Sequence, residues 1–583
     1  MSMLERGGNA FDAACAAAFT LQVIEPHLNG PGGEAPIIFW TEREARARVL
    51  CGQGVMPERA TPEFFRSRGL NLIPGTGHWP ATVPGAFDAW MLLLRDYGSL
   101  PLRTVLEPAI GYATNGYPLV PRIVQAIKAV EKLFNDEWHG SRDIYLPGGR
   151  APGVRELARN PSMAATYRRV VDDAERATVD RVAQIEHARD AWYRGWVAEA
   201  IDRFSRDTPV LDTTGERNRG LLTGDDMARW RATYDDPAVV DHGRYSVAKC
   251  GIWSQGPTML QALTTLRGTD IAAMNPVGAD FVHVVTESMK LALADRDTWY
   301  GDPDFTPSVL PQLLSESYAA ERRKLIGQEA SFDHRPGVPA GVRRGFPDWR
   351  AAKADVRMDQ YFYGLGEPTF ADLPDDDEVE PDGRMNGDTV HFDIIDRWGN
   401  MVSATPSGGW LSSSPVIPAL GFPLGTRGQM FWLEDGHPSI VAPRKRPRTT
   451  LSPALAFRDG KPWAAFGTPG GDQQDQWALT LFLRVAVHGM NWQEAIDAPS
   501  WHTKHNPTSF WPRQAQPGML SMESRWPADV LKELARRGHK ITLGEPWSEG
   551  RLTACAREDA AGGGRILKAA ANARGMQGYA VGR

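Results

Sequence analysis

Two places in the sequence carry groups whose type and setting can do chemistry. Thr389 opens a β-branched and aromatic segment, Thr389-Val390-His391-Phe392-Asp393-Ile394-Ile395, directly after Gly387-Asp388. A threonine there is ordinarily only a strand former. If the peptide bond before it is cut, its hydroxyl gains its own free α-amine as general base, the arrangement of an N-terminal threonine nucleophile. Gly470-Gly471 lies between a strand-like apolar run and a helical pattern. Glycines let the backbone approach a ligand closely, and free N–H groups at a helix start favour negative charge, including the oxyanion of acyl transfer. The same turn also serves purely structural ends, and it lacks the lysine of a phosphate loop.

Other candidates are weaker. His502 and His505 have near-helical spacing, but no glutamate lies between them and no third ligand is evident, so no metal site is assigned. Asp295, Asp297 and Asp302 begin like a calcium loop without its glycine or its closing glutamate; a capped helix end reads better. Leu411-Ser412-Ser413-Ser414 is not a nucleophile elbow. No cofactor motif is found.

The elements around these residues follow from periodicity. Ala10 to Ile24 reads as a buried helix capped by Asn9, too short to span a bilayer. Residues 86–96, 101–115, 119–135 and 277–299 carry helical patterns, and 153–206 reads as exposed amphipathic helices. The acidic stretch 371–388 reads as solvated loop. Val390, Phe392 and Ile394 alternate onto one apolar face, and Met401 to Thr405 supplies a second strand. A hairpin turning at Asp459-Gly460 runs into Gly470-Gly471, a helix begins near Asp472, and another at 528–537 stops at Gly538.

Composition bounds the rest. The 583 residues are 42% apolar and 23% charged with a net charge of −6, which excludes disorder and argues against a nucleic-acid binder. Length alone allows up to four domains. Four scattered cysteines, Cys15, Cys51, Cys250 and Cys555, indicate neither a zinc knuckle nor a disulfide framework. No export signal is visible, so a cytoplasmic location without membrane association is expected.

Taken together, several stretches resemble the γ-glutamyltransferase family of N-terminal nucleophile hydrolases. They are Gly7-Gly8-Asn9-Ala10 with Asp12-Ala13-Ala14, Glu25-Pro26-His27 with Gly30-Pro31-Gly32-Gly33, Ala294-Asp295-Arg296, Gly301-Asp302-Pro303-Asp304-Phe305, Thr389-Val390-His391-Phe392, Asp396 with Gly399-Asn400, Arg446-Pro447 with Leu451-Ser452-Pro453, and Pro469-Gly470-Gly471. The resemblance implies an αββα four-layer sandwich (an α+β fold) made as a precursor that cleaves itself between Asp388 and Thr389. Residues 1–388 would form a large chain and 389–583 a small chain, paired as one interleaved domain. Thr389 would be the nucleophile, Gly470 and Gly471 the oxyanion hole, and Ser407 would stand where the family has a supporting threonine. Family members carry a strand and helix before the motif that begins here at Gly7, which leaves open a longer native start bearing a signal peptide.

The implied substrate pocket departs from the family pattern. Gln53 falls where an arginine holds the α-carboxylate, and Gly409 and Met430 fall where an asparagine and an aspartate hold the α-amine. A glutamine becomes Arg427, and the paired serines become Thr449-Thr450. Neither Asp nor Glu occurs between Asp396 and Glu434. The expectation is therefore an amidase or acylase whose small-molecule acyl group lacks a free α-amine, with Arg427 either pairing a substrate carboxylate or lying in a surface loop. Two alternatives stay open: a true γ-glutamyltransferase or glutathione hydrolase with other anchors, and an uncleaved, silent homologue acting as a binding protein. The acceptor and the oligomeric state, including a homo-oligomer, are also open.

Overall fold

The computed structural model describes residues 1–342, 389–560, 562–574 and 577–582. The stretch 371–388, Asp388 included, lies outside the described residues.

Two antiparallel sheets stack face to face. One runs in the spatial order Phe392–Ile395, Met401–Ala404, Ala35–Thr41, Arg46–Gly52, Thr233–Asp235. The other runs Arg565–Ala571, Thr553–Asp559, Lys461–Gly467, Ala454–Arg458, Tyr245–Lys249, Ala238–His242. Ile38, Val49, Met401, Leu455 and Ala465 meet between them. On the outer face of the first sheet, Ile37, Phe39 and Leu50 join the apolar cluster of the helices Ala10–Ile24 and Ala86–Tyr97. On the outer face of the second, Val247, Ala456 and Phe466 join that of Pro257–Leu266, Ala279–Trp299 and Gln474–Ala486. Each inner strand thus buries both faces, and the layers are helix, sheet, sheet, helix: the αββα sandwich.

Residues from both sides of position 388 share each sheet. Ile38 pairs with Ser403 in the first, and Ala248 with Leu455 in the second. The hairpin of Ala35–Thr41 and Arg46–Gly52 was not anticipated, because a strand apolar on both faces shows no alternation. The helix at Ala10–Ile24 starts as expected: the Asn9 side chain accepts from the amides of Phe11 and Asp12, and the Asp12 carboxylate accepts from the amide of Asn9. The amphipathic region resolves into three helices, Pro161–Ala177, Arg181–Tyr193 and Trp196–Asp207. Among the described residues, no helix is long and apolar enough to cross a membrane.

Candidate active site

The strand expected from Thr389 begins only at Phe392. Opposite its first residues the neighbouring chain reaches Pro406, which has a carbonyl for the Val390 amide (3.1 Å) but no N–H to return. Thr389 is therefore held just ahead of the ladder. Its hydroxyl lies 3.2 Å from that of Ser407, and the two residues are 2% and 1% exposed.

His391 fastens this end of the first sheet to the second. Nδ1 meets the Thr405 hydroxyl at 2.8 Å, and Nε2 meets the Asp393 carboxylate at 3.1 Å. Asp393 also accepts from the Thr553 hydroxyl at 2.9 Å. The imidazole lies flush on Gly467, where a Cβ would come within 2.4 Å of the ring. Gly467 ends the strand that leads into Gly470-Gly471, so the glycine turn starts three residues beyond a contact with the Thr389 segment.

Gly470 (φ 122°) and Gly471 (φ 50°) both lie in the left-handed half of conformational space. A Cβ on Gly470 would strike the Trp477 ring at 2.4 Å. A short 3-10 turn, Gly471–Gln473, precedes the α-helix Gln474–Ala486, in place of the single helix expected from Asp472. Gln255 ties this turn to the threonine pair: Nε2 donates to the Gly471 carbonyl (2.9 Å), and its amide donates to the Thr449 carbonyl (2.8 Å). Beneath it, Lys249 and Asp475 form an ion pair at 3.0 Å with both side chains fully buried. Burial pushes the Asp475 carboxyl up, and Lys249 pulls it back.

The substrate-binding candidates separate. The Thr449 hydroxyl is used locally, accepting from the Leu451 amide at 3.3 Å. Thr450 is also buried, and its Oγ1 has no hydrogen-bond partner among the described residues. Gln53 is buried one step beyond the ladder pair Ala35–Gly52; its Oε1 also lacks a partner there.

Arg427 is not a surface arginine. It is 1% exposed and its guanidinium lies 5.3 Å from the Trp410 ring centroid and 5.4 Å from that of Phe510. Nε and Nη2 both approach Oε1 of Glu34, a residue equally buried. Burial pushes the Glu34 carboxyl above its ordinary range, while Arg427 draws it down. The segment 397–433 contains no acidic residue, but the fold brings one to Arg427 from residue 34. The Gly30-Pro31-Gly32-Gly33 motif carries the signal that this would happen. Cβ atoms on Gly30 and Gly33 would fall 2.3 Å from the Gly409 carbonyl oxygen and 2.1 Å from that of Ser407, an approach only glycine permits.

Sequence reasoning also missed Arg448. It is 2% exposed, donates to the Ser509 hydroxyl at 2.9 Å, and is pushed down to about 9 by burial and the nearby Arg296. The remaining polar candidates face elsewhere. His502 Nδ1 meets Glu549 at 2.5 Å, and His505 Nε2 meets the Asp333 carbonyl at 3.2 Å. Asp295 accepts from Tyr318 (2.9 Å), Asp297 from Arg296 (2.9 Å) and Asp302 from Arg446 (2.8 Å), three separate directions.

Known proteins share this arrangement of layers. The chain is 29% identical over 547 residues to the glutathione hydrolase-like YwrD proenzyme of Bacillus subtilis (strain 168), covering 93% of this chain and 88% of that protein. Among solved structures, LmbA2991HD is 50% identical with a TM-score of 0.89, covering 100% of this chain and 96% of that one. A cephalosporin acylase from Bacillus halodurans is 28% identical with a TM-score of 0.79, covering 100% and 92%. The sequence profile described as gamma-glutamyltranspeptidase matches residues 1–582. With the family's match spanning the chain and the αββα layers in place, this protein belongs to the gamma-glutamyltranspeptidase family of hydrolases.

Proposed function

We propose that the chain is a self-cleaving N-terminal threonine acylase that hydrolyses a small-molecule amide through an acyl-enzyme. The observation that carries this reading is the buried pair of hydroxyls, Thr389 Oγ1 and Ser407 Oγ, at 3.2 Å. A hydroxyl pair in a closed interior orients the attacking oxygen without requiring a charged neighbour.

In maturation, Thr389 Oγ adds to the Asp388 carbonyl carbon. The C–O bond forms, the C–N bond breaks and the hydroxyl proton passes to the departing nitrogen; water then cleaves the ester to leave an Asp388 carboxylate, the Thr389 hydroxyl and a free Thr389 amine. In turnover, that amine takes the hydroxyl proton as Oγ attacks the substrate carbonyl. The Gly470 and Gly471 amides stabilise the oxyanion, the proton passes to the departing amine, and water then releases the acid and restores the hydroxyl. Thr450, whose hydroxyl is buried without a partner among the described residues, would meet a polar group of the acyl unit.

Denaturing electrophoresis with N-terminal sequencing tests this. Two chains with Thr389 at a new N-terminus, a Thr389→Ala variant that stays whole, and a burst of released amine are expected. A wild-type chain that stays whole after long incubation would instead support the silent binding protein.

A further inference from the structure

Glu34 stands beside the proposed nucleophile in a way its sequence position does not suggest. Its amide donates to the Ser407 carbonyl at 2.8 Å, and the Ser407 amide donates to the Glu34 carbonyl at 3.0 Å. This is a hydrogen-bonded antiparallel pair, so the two side chains rise from the same face with Cα atoms about 5.5 Å apart. Ser407 Oγ reaches Thr389. The Glu34 carboxyl therefore lies on the same face as the Ser407 hydroxyl, with Oε2 2.5 Å from where a Cβ on Gly408 would stand.

The two carboxyl oxygens are not equivalent. Arg427, which also lies over the Trp410 and Phe510 rings, hydrogen-bonds Oε1 and not Oε2. Oε2 is buried and accepts no hydrogen bond from any described residue. A buried carboxylate oxygen without a donor is costly, and one good donor relieves it. Arg427 already balances the charge of Glu34, so a second cation would leave net positive charge in a desolvated site. A neutral donor fits.

From this geometry we infer that Glu34 Oε2 is a specificity element: it accepts a hydrogen bond from a neutral donor, a hydroxyl or amide N–H, on the acyl group near the reacting carbonyl, with Arg427 as its positioning residue. The inference rests on the acylase reading above and narrows its substrate class. It also gives a physical reason to discriminate against an acyl group with a free ammonium there.

Matched acyl p-nitroanilides on the processed wild-type protein test it without any mutation: 2-hydroxyacyl, 3-hydroxyacyl, the deoxy acyl, the 2-aminoacyl and the 2-oxoacyl compounds. At least one hydroxyacyl probe should exceed its deoxy partner in kcat/KM by about 10- to 100-fold, the range for a hydrogen bond to a charged group. The aminoacyl probe should be poorer than that hydroxyacyl one. Glu34→Gln keeps the shape but presents an NH2 group, so the preference should shift towards the 2-oxoacyl probe. Ratios within about 3-fold in the wild type overturn the inference while turnover itself upholds the acylase reading. Preference for the aminoacyl probe also overturns it. An unprocessed chain that turns over no probe removes the acylase reading and the inference together.

Discussion

Thr389 and Ser407 are 18 residues apart in sequence, yet their hydroxyl oxygens lie 3.2 Å apart in a closed interior. The link between them is the hairpin of Phe392–Ile395 and Met401–Ala404, in which Phe392 pairs with Ala404. That register returns the chain to Thr389 and places Ser407 against it. Ser407→Ala removes one hydroxyl and leaves the hairpin intact. Processing and amide turnover should both slow by about 10- to 100-fold, the effect of one lost hydrogen bond of about 1.5–3 kcal/mol to a group that gains charge. Ser407→Thr should restore most of the rate, because its hydroxyl occupies the same position. Equal rates in the alanine variant and the wild type would remove Ser407 from the mechanism.

The Glu34–Arg427 pair gives a stability prediction independent of activity. Arg427→Met leaves the buried Glu34 carboxylate without its guanidinium partner. Breaking one partner of a buried pair costs about 3–5 kcal/mol, whereas replacing both by apolar groups is often near neutral. Thermal scans at a matched rate should therefore show a large Tm loss for Arg427→Met and a much smaller one for the double variant Glu34→Leu/Arg427→Met. A double variant no better than the single would mean the two residues act separately.

Much of the fold around this candidate site was legible in the sequence wherever the signal was local. The capped helix at Ala10–Ile24 starts where its capping box stands, and the hairpin at Ala454–Gly467 turns at Asp459 (φ 53°) and Gly460 (φ 74°), as an Asp-Gly turn requires. Thr389 and Gly470-Gly471 stand out as candidates through residue type together with family resemblance. What was not legible depends on distance along the chain. Nothing near Arg427 announces that its partner is Glu34, because 393 residues separate them. The segment around Arg427 holds no acid, and the close packing of residues 30–34 against 407–409 supplies it. The strand Ala35–Thr41 was hidden for a different reason: it is apolar on both sides, so burial erased the alternation that identifies a strand.

The glycine motif at 30–33 should be intolerant for a backbone reason. At Gly33 an added Cβ would fall 2.1 Å from the Ser407 carbonyl oxygen and 2.4 Å from that of Gly408. Backbone atoms cannot rotate away as a side chain can, so Gly33→Ala must part the two segments and with them the Glu34–Ser407 pair. We expect loss of processing and a destabilisation of at least about 3 kcal/mol, at the top of the range for forced overpacking. Gly111, inside the helix Leu102–Asn115, is the control: a Cβ there meets nothing within 4 Å. Gly111→Ala should be neutral or stabilising by up to about 1 kcal/mol. Similar Tm losses in both variants would show that the glycines near the site are not special.

His437 sets an acid limit. Its Nδ1 accepts from the Ser439 amide and its Nε2 meets the Asp297 carbonyl, both at 2.9 Å, so the folded ring is held neutral. Burial pushes it down to about 3, against an ordinary value of 6.5. Below pH 6.5 the unfolded chain binds a proton that the folded chain refuses. Its contribution is therefore complete above pH 6.5 and falls away towards pH 3, at about 1.4 kcal/mol per pH unit within that window. Glu25, pushed up to about 7 by burial, and Asp212, raised to about 6, act in the opposite sense, so the total slope does not isolate His437. Comparing His437→Gln with the parent does. The variant should be destabilised at pH 7 by loss of a well-bonded ring, and the gap should narrow steadily as pH falls from 6.5 to 4. Urea midpoints at pH 7, 6, 5 and 4 measure this. A gap that stays constant would mean the folded ring accepts its proton as readily as the unfolded one.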